Sequence, residues 1–351
     1  LGKQINWVAN DLLGGLKLKN GCIPFDTNPF CTSLIGHSPS FSDLLESINP
    51  EPHEDNMLAR AIREKEEEYR AVYIAESDFE SFSDMDALAT HFNSRLYSTH
   101  RDREIRHEMG QCFIKGSEDN LVSILKELLR LSEHGIEGYK DSTTAKLSKM
   151  VPAIDDPDKL VITESMFEHS SVALLYGSAG TGKTTLINIV CDILSSSKKT
   201  AIANTNPAVD NLRRRIKSSN CEFMTIAKYL HQNNTRETDL LIVDECSTVS
   251  NADMKGILDR GGFRLLLLVG DTHQIEAIRL GTWFETARHF LDEKCLFYLE
   301  KPWRAANDNL KYLWDLVRQI SNDIHEHLNV MAASKPLSDE IYQPNADDEI
   351  I

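Results

Sequence analysis

A chain of 351 residues and 39.7 kDa is long enough for two domains, and its 41% hydrophobic and 26% charged residues are ordinary for a soluble globular protein. A net charge of −16 and a pI of 5.2 argue against a protein that coats nucleic acid, although a narrow groove gripping one short strand can sit on an acidic protein. No run approaches the roughly 20 apolar residues of a membrane span, and no basic-then-apolar leader opens the chain, so a cytoplasmic address is the expectation. The seven cysteines, Cys22, Cys31, Cys112, Cys191, Cys221, Cys246 and Cys295, form no CxxC, and their scatter predicts reduced, mostly buried side chains rather than disulfides or a zinc site.

Residues 1–158 read as a mainly helical N-terminal region, and the first 165 residues carry 18 basic and 29 acidic side chains. Pro24, Pro29 and Pro39 make residues 23–43 loop-like. The stretch Ala59–Tyr73 reads as a charged helix with a solvated face and i,i+4 pairs. His100–Glu108 mixes histidine and carboxylate at helical spacing, and an exposed helix is preferred there over a metal site. A further helix is expected to start at Asp119 or Asn120, followed by Leu121, Ile124, Leu125, Leu128, Leu129 and Leu131 at helical spacing. No chemistry attaches to this region, which leaves it as a candidate interaction module for protein partners. Asp155-Asp156-Pro157-Asp158 reads as its linker.

From Lys159 the texture changes to short apolar strands alternating with amphipathic helices: Val172–Tyr176, Lys183–Leu194, Thr200–Ala203, Val209–Ile216, Leu240–Val243, Met254–Leu258 and Leu265–Val269. This alternation predicts an α/β domain over residues 159–346, with a parallel sheet covered by helices on both faces. Leu240-Leu241-Ile242-Val243 is continuously apolar, as a strand buried on both faces must be.

Two short motifs carry chemistry. Gly177, Ser178, Ala179, Gly180, Thr181, Gly182, Lys183 and Thr184 fit G-x-x-x-x-G-K-[ST] throughout, between a strand and the helix that Thr185 continues. Such a loop curls its backbone N–H groups around a phosphate at a helix N-terminus. Lys183 then reaches the β- and γ-phosphates of ATP, and the Thr184 hydroxyl ligates Mg²⁺. The second motif is Asp244-Glu245 at the end of an apolar strand. Asp244 is suited to hold Mg²⁺ through water, and Glu245 to orient and deprotonate the attacking water.

The order of motifs goes further than a generic phosphate loop. GSAGTGKTT is followed by TAIANTNPAVDNL (200–212), Met224-Thr225-Ile226, LLIVDECSTVS, LLLLVGDTHQI (265–275) and LEKPWRA (299–305). This series, over residues 166–320, resembles superfamily 1 helicases, their RecD-like branch above all. The resemblance implies a RecA-like first motor domain, DNA as the more frequent single-stranded partner, and 5′→3′ movement. It implies that Gln274 senses the γ-phosphate, that Arg304 touches it, and that Thr205, Asn206 and Thr225 contact strand phosphates. It also implies a second motor domain, which residues 347–351 are expected to begin after an amphipathic helix carrying Leu310, Leu313, Trp314, Leu316, Val317 and Ile320. On that reading the chain is a piece of a longer protein. Ile275-Glu276-Ala277 stands where the family continues with leucine and proline, and no glutamine precedes the phosphate loop within residues 159–171. ATP over GTP therefore rests on the resemblance alone. A different class remains open beside the motor: a P-loop sensor or regulatory ATPase in a larger assembly, for instance a defence system, without unwinding.

Overall fold

A computed structural model describes residues 7–10, 16–19, 54–149, 157–178, 180–232, 237–271 and 280–299. The first strands, β1 (Trp7–Asn10) and β2 (Leu16–Lys19), pair antiparallel with Trp7 opposite Lys19. The segments 23–43, 155–156 and 310–320, the expected second-domain start at 347–351, and the residues Ala179, Gln274 and Arg304 lie outside the described residues.

Helix α1 (Glu54–Tyr69) packs with α2 (Met85–Ser94) against a small antiparallel sheet of β3 (Ile74–Ala75), β4 (Ile105–Glu108) and β5 (Gln111–Ile114), in the order β3-β5-β4. Leu58, Ile62, Phe79, Phe92, Ile105 and Cys112 form its separate core. The charged face of α1 does make local ion pairs, such as Arg63 with Glu67 at 3.3 Å, but Glu66 on the same helix is fully buried.

The expected helix at His100–Glu108 is not formed. Residues 98–103 make a short 3₁₀ turn, and 105–108 are strand β4. Met109 and Gly110, at φ 50° and 73°, turn the chain straight back so that β4 pairs with β5, and that pairing overrides the helical spacing. His107 meets Asp86 (2.8 Å) and Glu76 (3.3 Å) there, and among the described residues no group of three or more His, Cys, Asp or Glu is arranged to hold a metal. The helix expected from Asp119 or Asn120 instead begins four residues earlier. Helix α3 (Lys115–Ser132) follows β5 directly and has no side-chain cap, while Lys115 N–H donates to the Glu104 carbonyl at 2.8 Å.

After α4 (Tyr139–Leu147) and α5 (Pro157–Ser165), six strands form a wholly parallel sheet. They are β6 (Val172–Gly177), β7 (Lys199–Ala203), β8 (Cys221–Thr225), β9 (Thr238–Val243), β10 (Phe263–Gly270) and β11 (Leu296–Leu299), in the order β11-β6-β10-β9-β7-β8. The connecting helices are α6 (Lys183–Ile193), α7 (Asn206–Arg215), α8 (Ile226–His231), α9 (Asn251–Arg260) and α10 (Trp283–Phe290).

The period-2 alternation of the strands divides the core. Leu174, Leu241 and Leu266 face one side with α9, α10 and the α3 residues Leu121, Ile124 and Leu128, whereas Leu175, Ile242 and Leu267 face the other with α5, α6 and α7. This is a RecA-like P-loop α/β fold. Helix α3 thus supplies a layer of the sheet's cover although it precedes the texture change at Lys159. The described residues all belong to one compact unit within residues 1–300. Of the described cysteines, Cys112, Cys191, Cys246 and Cys295 are buried free thiols and Cys221 is a half-buried one. No described helix is long and apolar enough to cross a membrane.

Candidate nucleotide site

Sheet order decides what meets what. Strand β10 lies between β6 and β9, with Leu268 beside both Leu174 and Val243, and Gly270 beside Tyr176. The chain therefore leaves three adjacent carboxyl ends together: the loop after Gly177, the Asp244-Glu245 pair after Val243, and buried Asp271 after Gly270. In open α/β sheets this edge is where ligands are held.

The loop from Gly177 to Lys183 needs its glycines. Gly180 and Gly182 adopt φ 88° and 92°, which L side chains rarely reach, and a Cβ on Gly182 would come within 2.7 Å of the Lys159 ammonium. Gly182 is also the N-cap of α6 and has no side chain to cap it, and a helix end capped by glycine suits an anion. Thr181 is buried and ties the loop internally, its hydroxyl donating to the Ser178 carbonyl at 2.9 Å. Lys183 is folded onto its own loop and donates to the carbonyls of Gly177 and, at 3.1 Å, Ser178. Phosphate oxygens offer the same ammonium a charged acceptor in place of those carbonyls. Thr184 is half-buried beside it, and Thr185 is exposed.

At the end of β9, Asp244 N–H donates to the Ile202 carbonyl (2.9 Å), which fixes the strand end against β7. Asp244 Oδ1 accepts from Glu245 N–H at 3.0 Å, leaving Oδ2 for a cation or its water. Desolvation pushes the Asp244 carboxyl up to about 6, opposed by the Glu245 N–H and by the charges of Lys183 and Arg215. Glu245 takes φ 56°, ψ 43°, the left-handed region, which costs a non-glycine residue roughly 1–2 kcal/mol. The cost is offset locally: the Glu245 carbonyl accepts from both the N–H and the hydroxyl of Thr248 at 2.8 Å, so the turn that aims Glu245 is held from below. Strain stored at such a position is a frequent mark of functional sites. A carboxylate and a half-buried hydroxyl at the mouth of a phosphate loop are hard oxygen donors, and that donor set fits Mg²⁺.

The residues expected to contact a strand sit at the same edge, one and two strands away. Thr205 caps α7 by accepting from Ala208 N–H (3.3 Å), and Thr225 caps α8 by accepting from Lys228 N–H (3.2 Å). Each hydroxyl keeps its own hydrogen to donate, and Asn206 is exposed in the first turn of α7. Asn204 links this edge to the acidic turn, its amide donating to the Thr248 carbonyl at 2.9 Å. Two neighbours of the nucleotide loop were not legible as site residues: buried Lys159 against Gly182, and Asn188 one turn along α6 from Thr184. The i+4 spacing from Thr184 is the signal that marks Asn188; Lys159 has none in the sequence.

Residues 159–333 match the AAA domain family. Among solved structures, the chain is similar to a Pif1 helicase described for DNA unwinding at forked double-stranded DNA (18% identity, TM-score 0.31, covering 42% of this chain and 44% of that one). It is similar also to the Pif1 helicase from Candida albicans (21%, TM-score 0.29, covering 42% and 40%). A third is the arterivirus nonstructural protein 10 helicase in complex with DNA (19%, TM-score 0.26, covering 40% and 39%). The chain spans less than half the length of each of these. No curated protein matches it.

Proposed function

We propose, from the match of residues 159–333 to the AAA domain family and the order of motifs that resembles superfamily 1 helicases, that this chain hydrolyses Mg·ATP and couples turnover to its hold on single-stranded nucleic acid, DNA before RNA. The observation that carries the reading is the convergence of the Gly177–Thr184 loop, Asp244-Glu245 and Asp271 at three adjacent strand ends. The amides of the loop and Lys183 bind the β- and γ-phosphates. Thr184 and Asp244 hold Mg²⁺, which when bound neutralises charge on the phosphate oxygens. Glu245 positions a water in line with the γ-phosphate and accepts its proton. Gln274 and Arg304 take their γ-phosphate roles from the family resemblance. Thr205, Asn206 and Thr225 donate hydrogen bonds to strand phosphates, which position a strand without reading its sequence.

The test is the ATPase rate of the full chain with and without single-stranded DNA or RNA. A rate that rises severalfold with DNA, and falls to background in Lys183→Ala, supports the motor. The net charge of −16 favours one competing reading, a P-loop sensor that grips no strand. Turnover that depends on Lys183 and ignores both nucleic acids would establish the sensor in its place. A duplex with a 5′ tail against one with a 3′ tail then tests the 5′→3′ direction.

A further inference from the structure

A short chain of hydrogen bonds runs from the backbone of Glu245 to the residue just before the candidate strand contacts. A carbonyl oxygen has two acceptor positions, and Thr248 fills both on Glu245, with its N–H and with its hydroxyl, each at 2.8 Å. These donors close the turn over residues 245–248 and hold Glu245 at its left-handed φ of 56°. The Thr248 carbonyl accepts in turn from the Asn204 amide at 2.9 Å. Asn204 is exposed, follows the last residue of β7 and immediately precedes Thr205 and Asn206. Two further bonds frame this link without depending on it. Asp244 N–H donates to the Ile202 carbonyl (2.9 Å), so β9 stays paired with β7 whatever side chain stands at position 204. Trp283 Nε1 donates to the Val249 carbonyl (2.9 Å) and anchors the far end of the turn. The Asn204–Thr248 bond therefore bears on the aim of Glu245 and not on the integrity of the sheet.

We propose that Thr248 and Asn204 are positioning residues for Glu245, and that Asn204 makes the aim of that carboxylate respond to a bound strand. The proposal rests on the motor reading above and deepens it. Phosphates held by Thr205 and Asn206 fix the backbone on which Asn204 stands, so its amide stays on the Thr248 carbonyl and Glu245 keeps its place. Without a strand, the exposed amide exchanges that carbonyl for water, and the turn is left to Thr248 alone. The hydroxyl of Thr248 acts in both states.

The test measures steady-state ATP turnover of the full chain, with and without a single-stranded DNA oligonucleotide, for wild type, Asn204→Ala, Thr248→Val and Thr248→Ser. Loss of one neutral hydrogen bond predicts kcat about fivefold lower in Thr248→Val in both conditions, at unchanged KM, with recovery in Thr248→Ser, which keeps the hydroxyl. Asn204→Ala should lower the ratio of stimulated to unstimulated turnover about fivefold while binding a labelled oligonucleotide as tightly as the wild type. Full stimulation in Asn204→Ala overturns the coupling. So does a loss of stimulation that merely follows weaker oligonucleotide binding, because Asn204 would then be a plain strand contact. Wild-type kcat in Thr248→Val, or a fall that Thr248→Ser fails to recover, overturns the role of the hydroxyl. A wild type that hydrolyses ATP and ignores the oligonucleotide overturns the motor reading and the part of Asn204 with it, while the two Thr248 variants still decide whether that hydroxyl positions Glu245.

Discussion

Two regions of the molecule each hold a carboxylate raised by desolvation, one fully buried and one half-buried, and they use it differently. In the N-terminal module, Glu66 has no exposed surface; its Oε2 accepts from Ser117 Oγ at 3.0 Å and Arg63 at 3.3 Å, and its Oε1 from Ile114 N–H at 3.4 Å. Burial still pushes its carboxyl up to about 7, above what those three donors recover. At the sheet edge, Asp244 is likewise raised to about 6, with one oxygen held by Glu245 N–H and the other facing a site where Lys183 and Arg215 supply positive charge. Glu66 spends its acceptor capacity on joining α1, β5 and α3. Asp244 keeps half of its own unspent. Burial of a carboxylate alone therefore does not mark a site; spare acceptor capacity at a convergence of strand ends does.

The strongest way to break that contrast is Lys183→Ala. Turnover of the full chain should fall to background, while the melting temperature stays within a degree or two, because Lys183 donates to loop carbonyls at the sheet edge and belongs to neither hydrophobic core of the sheet. Next in size, Glu245→Gln should lower kcat by about 10²–10⁴ with Mg·ATP affinity retained, since the amide still orients water and cannot take its proton. Steady-state kinetics beside equilibrium nucleotide binding separates the two effects. Asp244→Asn should instead weaken binding about 10–100-fold when Mg²⁺ is present and little when it is chelated. Equal behaviour of the two variants at full activity would reduce Asp244-Glu245 to an ordinary strand end.

The Glu66 side of the comparison predicts a pH effect on stability and none on catalysis. The folded protein holds the Glu66 proton up to about pH 7, whereas the unfolded chain releases it near 4.5. Stability is thus highest below 4.5, falls as pH rises through that window, and levels off above about 7. The full swing is on the order of 3 kcal/mol. Denaturant titrations of Glu66→Gln and wild type between pH 5 and 8 should show the wild type losing stability relative to the variant as pH rises. Parallel curves would mean that Glu66 ionises as an ordinary carboxylate. The smallest effect expected is from Thr205→Ala, which removes the cap of α7 at a cost of about 1 kcal/mol. Loss of stimulation by single-stranded DNA beyond that modest destabilisation would show that the hydroxyl also touches the strand.

The reading of residues 166–299 from sequence rests on signals that are local. A phosphate loop is eight consecutive residues, and four of the six strands, β6, β7, β9 and β10, appear as apolar runs within about two residues of their observed ends, whereas β8 and β11 at the two sheet edges were not read as strands. The misreadings in the N-terminal module have the same root. The spacing of HRDREIRHE is compatible with a helix until a two-residue turn offers residues 105–108 a partner strand, and the start of α3 was sought at a capping side chain when β5 delivers the chain into it directly.

By itself, then, the sequence determined the phosphate loop, the acidic strand end, the helix–strand alternation and the resemblance to helicase motors, because glycine conformational freedom, hydrophobic period and short motif spacing act over a few residues. Only the tertiary structure decided that β10 inserts between β6 and β9, that α3 closes one face of a sheet lying beyond the expected boundary, that Glu66 is fully buried, and that Asn188 of α6 holds the carbonyl at the end of α7. Each of these depends on contacts between residues from about 25 to well over 100 positions apart, where sheet order and helix packing, and not local spacing, choose the neighbours.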